Sequence, residues 1–381
     1  MNLLTDDTKA ILLLCGYFSK DAKARPLTVP EYNKLVRWMI REDVKLRPAD
    51  LLQEANAGRA EQEVGFEPDR LHYLLGRGVQ LGFSLEEWGS AGIWVLSRSD
   101  AEYPRRYKEH LREKAPPILF GTGNKSLLQG GGLAVVGSRN VDGEGEKFTR
   151  EVAEQCARNH MTIVSGGARG VDQVSMSSAF QAGGCVIGVL AENLLKKSVQ
   201  RENRQALADD RLLLISPYHP KASFSVGTAM GRNKLIYAMA DYGLVVSSDY
   251  NKGGTWTGAK EELRRENAIP VFVRMSGKVP AGNQKLLELG AKVWPALAAD
   301  ARPQDVLAES AKAPVAPPSL FDDQRALTPS AGALPMSVPK ASAPKAQQGE
   351  LFEAVHEATA SSAFKSSGAN LGWTPPRKKP Q

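Results

Sequence analysis

The sequence has few cysteines and no long apolar run, and both absences limit the class of protein. Cys15, Cys156 and Cys185 stand apart in a chain of 381 residues, without the paired spacing of a disulfide framework or a zinc site. The apolar stretch at 10–18 is too short to cross a bilayer and follows acidic residues, unlike a signal peptide. The sequence therefore predicts a cytoplasmic protein with no membrane segment, and it gives no sign of a metal or cofactor.

Two nucleotide-binding fingerprints are also missing. "GSRN" at 137–140 follows an apolar run, but it carries no Walker lysine and no complete G-x-G-x-x-G, which excludes a standard P-loop or dinucleotide site there. Lysine and arginine outnumber the acids by 49 to 42, for a formal net charge of +7. This excess weakly favours a polyanionic partner, because cations close to phosphates release counterions.

The patterns along the chain divide it into three regions. Residues 1–95 show helical periodicity, with apolar side chains at Leu35, Val36, Trp38 and Met39, and predict a small helical domain. Such a domain either packs or dimerises as a bundle or binds DNA through a helical hairpin. Residues 96–295 form the main domain. Residues 296–381 hold eleven of the 23 prolines among alanine, serine and lysine, which predicts a disordered tail.

Short apolar runs alternate with helical segments in the main domain. The candidate strands are "LAVVG", "TIVSG", "CVIGVL", "LLLIS", "GLVVSS" and "PVFVR", all between 133 and 275. Strands that alternate with helices predict a parallel, doubly wound α/β sheet. In such a sheet the ligand crevice lies at the carboxyl ends of the strands.

Two small-residue turns stand at those carboxyl ends. In the first, Gly137 permits close backbone approach, Ser138 supplies a hydroxyl, and Arg139 supplies a forked cation suited to phosphate. The second turn is "SGGARGVD" at 165–172, whose backbone N–H groups can form an anion nest before a helix that begins near Asp172.

Two further motifs follow on the same side of the predicted sheet. Arg232, Asn233 and Lys234 are expected at the start of a helix, where cations oppose the helix dipole and so suggest a functional use. "NKGGTWTGA" at 251–259 adds a glycine-rich turn and Trp256. The indole either stacks on a base or packs in the core.

The order of these motifs is similar to that of the DprA/Smf DNA-processing proteins. The similarity begins with "WVLSRSDAEYPRRYKEHLREKAPPILFGTGNKSLL" at 94–128 and continues through "VVGSR", "SGGARGVD", "ISPYHP", "RNK" and "GGTWTGA", to about residue 275. As an ordered set these motifs are specific, although each alone is weak.

This resemblance implies a Rossmann-like domain that binds single-stranded DNA without sequence preference. It further implies a homodimer, help in loading the recombinase RecA, and no catalysis. By position, Arg139, Arg232 and Lys234 would contact phosphates together with Ser138 and Asn233. The turn residues that would shape the pocket are Gly166, Gly167, Arg169 and Gly170.

The chain departs from the family pattern at several positions. The aromatic residue usual before the Arg-Asn pair is replaced by Ala229, and Phe224 in the preceding loop is the candidate replacement for base stacking. Acidic residues of the family are replaced by Pro217 and Ser247. The predicted pocket therefore carries less negative charge than is typical of the family, and its role in recombination, DNA uptake or anti-phage defence stays open.

Two other functions remain possible from the sequence. The "KGGTWTGAKEE" stretch loosely resembles the loop of nucleotide phosphoribohydrolases, in which Glu261 or Glu262 would be the catalytic acid. The second possible function is regulatory, as an antitoxin or a defence component with a toxin partner. In the tail, "QGELF" resembles peptides that dock on sliding clamps through Gln348, Leu351 and Phe352.

Overall fold

Strands from much of the chain form a single sheet in the computed structural model, which describes residues 4–18 and 23–312. Its strands in these ranges are β1 (Trp94–Ser97), β2 (Ile118–Gly123), β3 (Leu133–Gly137), β4 (Ile163–Ser165), β5 (Val186–Val189), β6 (Leu212–Ser216), β7 (Tyr242–Ser247), β8 (Val271–Val273) and β9 (Lys292–Val293). The described residues belong to one compact unit, Met1–Leu320. The proposed clamp peptide at 348–352 lies outside them.

The strand order is β1-β2-β6-β5-β4-β3-β7-β8-β9. All neighbours from β6 to β9 are parallel, whereas β2 pairs antiparallel with both β1 and β6. The predicted doubly wound α/β sheet is confirmed, and β3 to β8 correspond to the predicted strands. The antiparallel strands β1 and β2 and the short edge strand β9 were not predicted.

The order in which the chain adds strands to the sheet reverses between β3 and β7. From β3 the chain adds β4, β5 and β6 on one side, and it then returns to place β7, β8 and β9 on the other side. Loops that leave β3 and β7 at their carboxyl ends therefore diverge and open a crevice, the usual ligand position in open α/β sheets.

Helices cover both faces of the sheet. They are α1 (Asp6–Cys15), α2 (Val29–Met39), α3 (Glu54–Val64), α4 (Arg70–Leu75), α5 (Gly78–Ser90), α6 (Arg105–Leu111), α7 (Gly143–Arg158), α8 (Val171–Gln181), α9 (Leu194–Val199), α10 (Arg201–Ala208), α11 (Val226–Met239), α12 (Gly253–Leu263), α13 (Ala281–Glu288) and α14 (Pro303–Lys312). No helix among the described residues is both long and apolar enough to cross a bilayer.

The N-terminal region is helical, and its core is continuous with that of the sheet. A capping box of Thr28 and Glu31 starts α2, and the periodic residues Leu35 and Trp38 are buried. Trp88 in α5 packs edge-on against Phe120 in β2, with ring centroids 5.0 Å apart. The helices and the sheet therefore stabilise each other.

Residues 297–312 differ from the prediction of a disordered tail from 296. Pro303 starts α14 and Leu307 is completely buried in the main core. The side-chain amide of Gln304 donates to the backbone oxygen of Asn159 (2.9 Å). Residues 297–312 are therefore part of the folded unit. One buried leucine and a helix that begins at a proline stabilise this segment despite the polar residues around them.

We expect two truncations to separate this helix from the remaining tail. Deleting 297–381 should lower the free energy of unfolding by about 1.5–3 kcal/mol, the contribution of burying one leucine side chain. Deleting 313–381 should leave it nearly unchanged, because that composition holds too little apolar surface to offset chain entropy. Urea denaturation of both proteins checks this, and equal stability of the two would contradict it.

Candidate functional site

A groove of about 550 Å³ lies at the carboxyl ends of β3 and β7, where the strand order of the sheet reverses. We call it the central groove and define it by the end of β3, the N-terminus of α8, one face of α11 and the turn that starts α12. Its polar and charged lining residues are Ser138, Arg139, Asp172, Arg232, Asn233, Tyr237, Ser247, Ser248, Asp249, Lys252, Thr255 and Thr257.

Arg139 and Phe224 form a stacked pair on the rim of the central groove. The guanidinium carbon of Arg139 lies 5.1 Å from the ring centroid of Phe224, and Phe224 is 44% exposed. The Ser138 hydroxyl accepts a hydrogen bond from the backbone N–H of Asn140 (3.1 Å), which shapes the turn. The structure thus brings Ser138, Arg139 and Phe224 together at the rim, and their contact with DNA stays a prediction.

The second glycine-rich turn packs directly against the first. Gly170 has φ of 84°, and a Cβ there would collide with the backbone oxygen of Ser138, so only glycine fits without strain. Gly167 also has positive φ, at 67°. Arg169 donates from Nη2 to Oδ1 of Asn140 (2.6 Å). The helix α8 begins at Val171 without a side-chain cap, and the N–H groups of Val171 and Gln173 donate instead to the backbone oxygens of Ser138 (3.3 Å) and Ala168 (3.0 Å).

Arg232 and Asp172 form a buried charge pair in the floor of the central groove. Nη1 of Arg232 lies 3.8 Å from Oδ2 of Asp172, and both residues are only 6% exposed. Burial raises the pKa of Asp172, against the opposing effects of Arg232 and of N–H groups from Ala168 and Gly166. Burial likewise lowers the pKa of Arg232.

The hydrogen-bonding capacity of Arg232 is not fully used within the described protein. Its Nε is buried without a partner, and its guanidinium packs so closely on Gly166 that any Cβ there would overlap it. Gly166 is therefore required by the position of Arg232. A charged donor group held in this way is suited to an incoming acceptor.

Arg232, Asn233 and Lys234 do not stand at the start of a helix, and that prediction is wrong. The helix α11 begins at Val226 and is capped by Ser225, so the three residues lie in its interior and oppose no N-terminal dipole. Successive helical side chains point in different directions. Arg232 and Asn233 face the central groove, whereas Lys234 lies on another side of α11 and does not line it.

The glycine-rich turn at 251–259 starts α12 beside β3. The Thr255 hydroxyl donates to the backbone oxygen of Gly137 (3.1 Å), and the Asn233 amide donates to that of Gly254 (2.9 Å). These two bonds fix the N-terminus of α12, which has no side-chain cap, at the groove. The exposed Lys252 beside it was missed from the sequence, although its place just before Gly253-Gly254 is a usable signal.

Trp256 does not present a ring to the central groove. It is 5% exposed and packs edge-on against Tyr250, with ring centroids 5.1 Å apart. The base-stacking prediction is therefore wrong for Trp256, and core packing, the other possibility from the sequence, is what the structure has. Phe224 is left as the exposed aromatic ring of the groove rim among the described residues.

Neither Glu261 nor Glu262 lines the central groove. Glu262 is 1% exposed, accepts from the backbone N–H of Ile269 (3.0 Å) and pairs with Arg265 (3.1 Å), while burial raises its pKa. Glu261 lies on the outer side of α12. The geometry therefore gives no support to the hydrolase alternative.

One group of possible metal ligands occurs in the described ranges, far along the chain from these motifs. It consists of Glu61, Asp69 and His72. The Glu61 carboxylate accepts from the backbone N–H groups of Asp69, Leu71 and His72. Because these bonds satisfy the orphan donors at the start of α4, helix capping explains the cluster.

Comparison with known proteins identifies the family. The model of the DNA recombination-mediator protein A family matches residues 94–304. The chain is 30% identical to the DNA processing protein DprA of Bacillus subtilis over 221 residues, which are 56% of this chain and 72% of that protein. It is 32% identical to DprA of Streptococcus pneumoniae over 199 residues, 51% of this chain and 67% of that protein.

The fold agrees with a solved structure from the same group. The X-ray structure of DprA from Streptococcus pneumoniae superposes with a TM-score of 0.61 at 24% identity, covering 80% of this chain and 98% of that one. The match to the family model spans more than half of the chain and includes every motif of the central groove. The chain therefore belongs to the DNA recombination-mediator protein A family.

Proposed function

We propose that the central groove binds the backbone of single-stranded DNA. The stacked pair of Arg139 and Phe224 carries this proposal, because it places a phosphate-binding fork and an exposed ring face within reach of one nucleotide. Lys252 adds a second exposed cation to the same groove, whereas the buried Arg232 lies in its floor and is paired with Asp172. A cationic groove with an aromatic platform is the usual arrangement for binding single strands without sequence preference.

The backbone of the protein supports the same ligand. The helix α12 begins at the central groove without a side-chain cap, and uncapped N–H groups at a helix N-terminus attract anions. Among the described residues, the only acids in the lining are Asp172, which is paired with Arg232, and Asp249. The loss of an acid at Ser247 therefore favours a phosphate chain over a cationic ligand.

We infer binding without catalysis. In the part of the chain that the structure describes, no histidine, cysteine or glutamate lines the central groove. These are the side chains that most often transfer protons or act as activated nucleophiles in hydrolysis. The hydroxyls present, such as Ser138 and Thr255, are used by the turns or lack a neighbouring base. Turnover of a nucleoside monophosphate by the pure protein would contradict this inference.

Family membership supports a part in recombination or DNA processing. Dimerisation, the loading of RecA, a role in DNA uptake or anti-phage defence and a toxin partner are further proposals from the resemblance. Docking of 348–352 on a sliding clamp depends on residues outside the described ranges. Each needs its own binding assay with the full chain.

Salt dependence tests the proposed function directly. If Arg139 and Lys252, the exposed cations of the groove, each neutralise one phosphate, the logarithm of the binding constant for single strands should fall with a slope of about −1.4 against the logarithm of the salt concentration. Affinity for oligothymidylate should then drop about sevenfold from 50 to 200 mM salt. Fluorescence anisotropy with single-stranded and double-stranded oligonucleotides measures both quantities, and affinity that ignores salt would count against the proposal.

A further inference from the structure

A second basic surface lies next to the central groove, on the outer side of α12. We call it the α12 basic face and define it by Lys114, Lys234, Lys260 and Arg264. Lys114, Lys260 and Arg264 line a shallow depression of about 530 Å³ together with Trp256 and Thr257. Lys234 reaches its edge from α11, through a smaller depression of about 180 Å³.

The α12 basic face is continuous with the central groove. The smaller depression shares Met230, Asn233 and Thr257 with the central groove and shares Thr257 and Glu261 with the shallow one. The three depressions are therefore adjacent, and a chain that leaves the central groove at Thr257 reaches the α12 basic face. This route passes Lys234, which the sequence assigned to DNA binding but the central groove does not use.

The cations of this face lack acidic partners. No ion pair to Lys114, Lys234, Lys260 or Arg264 occurs in the described ranges, whereas Arg265 beside them pairs with Glu262. The pKa of Lys234 is lowered by burial and by the neighbouring charges of Lys114 and Arg265, against the opposing charge of Glu261. Crowded like charges repel one another, and a bound anion relieves that repulsion.

Helix stabilisation alone does not account for the cluster. Lys260 and Arg264 lie in and just after the last turn of α12, where cations favour the helix dipole. Lys114 and Lys234 come from a different turn and a different helix, so the preference of the last turn of a helix for cations does not explain why they occur there. Their convergence on one depression is what points to a ligand.

We propose that the α12 basic face is a second phosphate-binding segment, which holds the single strand after it leaves the central groove. The inference depends on the proposed function, since it extends the same ligand. It predicts a binding footprint longer than the central groove. The added segment contributes backbone contacts only, because its aromatic residue, Trp256, is buried.

Oligonucleotides of two lengths test this proposal. About 4 and 16 nucleotides bracket the site sizes of single-strand-binding modules, so the short one fits the central groove and the long one reaches both segments. In the full chain, Lys260→Gln with Arg264→Gln should lower the affinity for the 16-mer about tenfold and leave the affinity for the 4-mer unchanged. The salt slope for the 16-mer should become shallower by about 1.4, for two lost phosphate contacts.

A matched variant controls for net charge. Arg105→Gln with Arg158→Gln removes the same number of exposed cations near the amino ends of the strands, and it should change neither affinity. An unchanged 16-mer affinity and slope in the α12 variant would overturn the second segment while leaving the proposed function intact. Equal weakening of both lengths would also overturn it, and wild-type protein that binds neither length would refute both proposals.

Discussion

Asp172→Ala should lower the free energy of unfolding by about 3–5 kcal/mol, the usual cost of leaving one member of a buried charge pair alone. Arg232 is held 3.8 Å from this carboxylate, and both side chains are more than nine-tenths buried. Without Asp172 the guanidinium must stay uncompensated or leave its place against Gly166. The melting temperature should fall by roughly 10 °C, because a loss of about 1 kcal/mol in unfolding free energy lowers it by 2–4 °C for a domain of this size.

Two further variants decide whether charge is the cause. Adding Arg232→Met should recover part of the loss, because an apolar side chain of similar length needs no counter-charge. Glu113→Ala is the control, since it breaks an exposed ion pair with Arg37 (2.6 Å), and such pairs contribute about 0–1 kcal/mol. If Asp172→Ala costs no more than Glu113→Ala, or the double variant is no better than the single one, the buried pair is not a stabilising unit.

The parallel core of the fold was accessible from the sequence because its strands are buried on both faces. Continuous apolar runs such as "LAVVG" and "LLLIS" are typical of such strands. The strand β2, "ILFGTG", contains two glycines and a threonine, and β9 is two residues long. Neither has a pattern that distinguishes a strand from a loop, so tertiary pairing decides their structure.

The sequence predicts the position of a site residue when a turn at a strand end fixes it. It does not predict that position when it depends on the residue at which a helix begins. Arg139 follows a strand end, so its place at the crevice depends on topology alone. Lys234 depends on where α11 begins, and the capping pair Ser225 and Thr228 was the overlooked signal. The exposure of Phe224 and the burial of Trp256 depend on packing between distant segments, which local sequence does not encode.

Replacing Arg139 and Phe224 together with alanine should weaken binding of single-stranded DNA by about 3–5 kcal/mol, which corresponds to about 150- to 4,000-fold. A hydrogen bond to a charged group contributes about 1.5–3 kcal/mol, and stacking of one base contributes about 1–3 kcal/mol. Each single variant should lose about 1–3 kcal/mol. The effects should be less than additive, because the ring of Phe224 also holds the guanidinium of Arg139 in place.

The pair tests the assignment of the central groove because its members are exposed and the fold does not depend on them. The double variant should therefore keep the wild-type melting temperature, and Arg139→Lys should recover only part of the binding, since an ammonium cannot reproduce a two-pronged contact. Phe83→Ala with Arg158→Ala changes the same residue types at exposed positions on α5 and α7 and should bind normally. Normal binding but earlier unfolding of the Arg139 and Phe224 variant would make the stack a structural brace, and the DNA would then have to bind elsewhere.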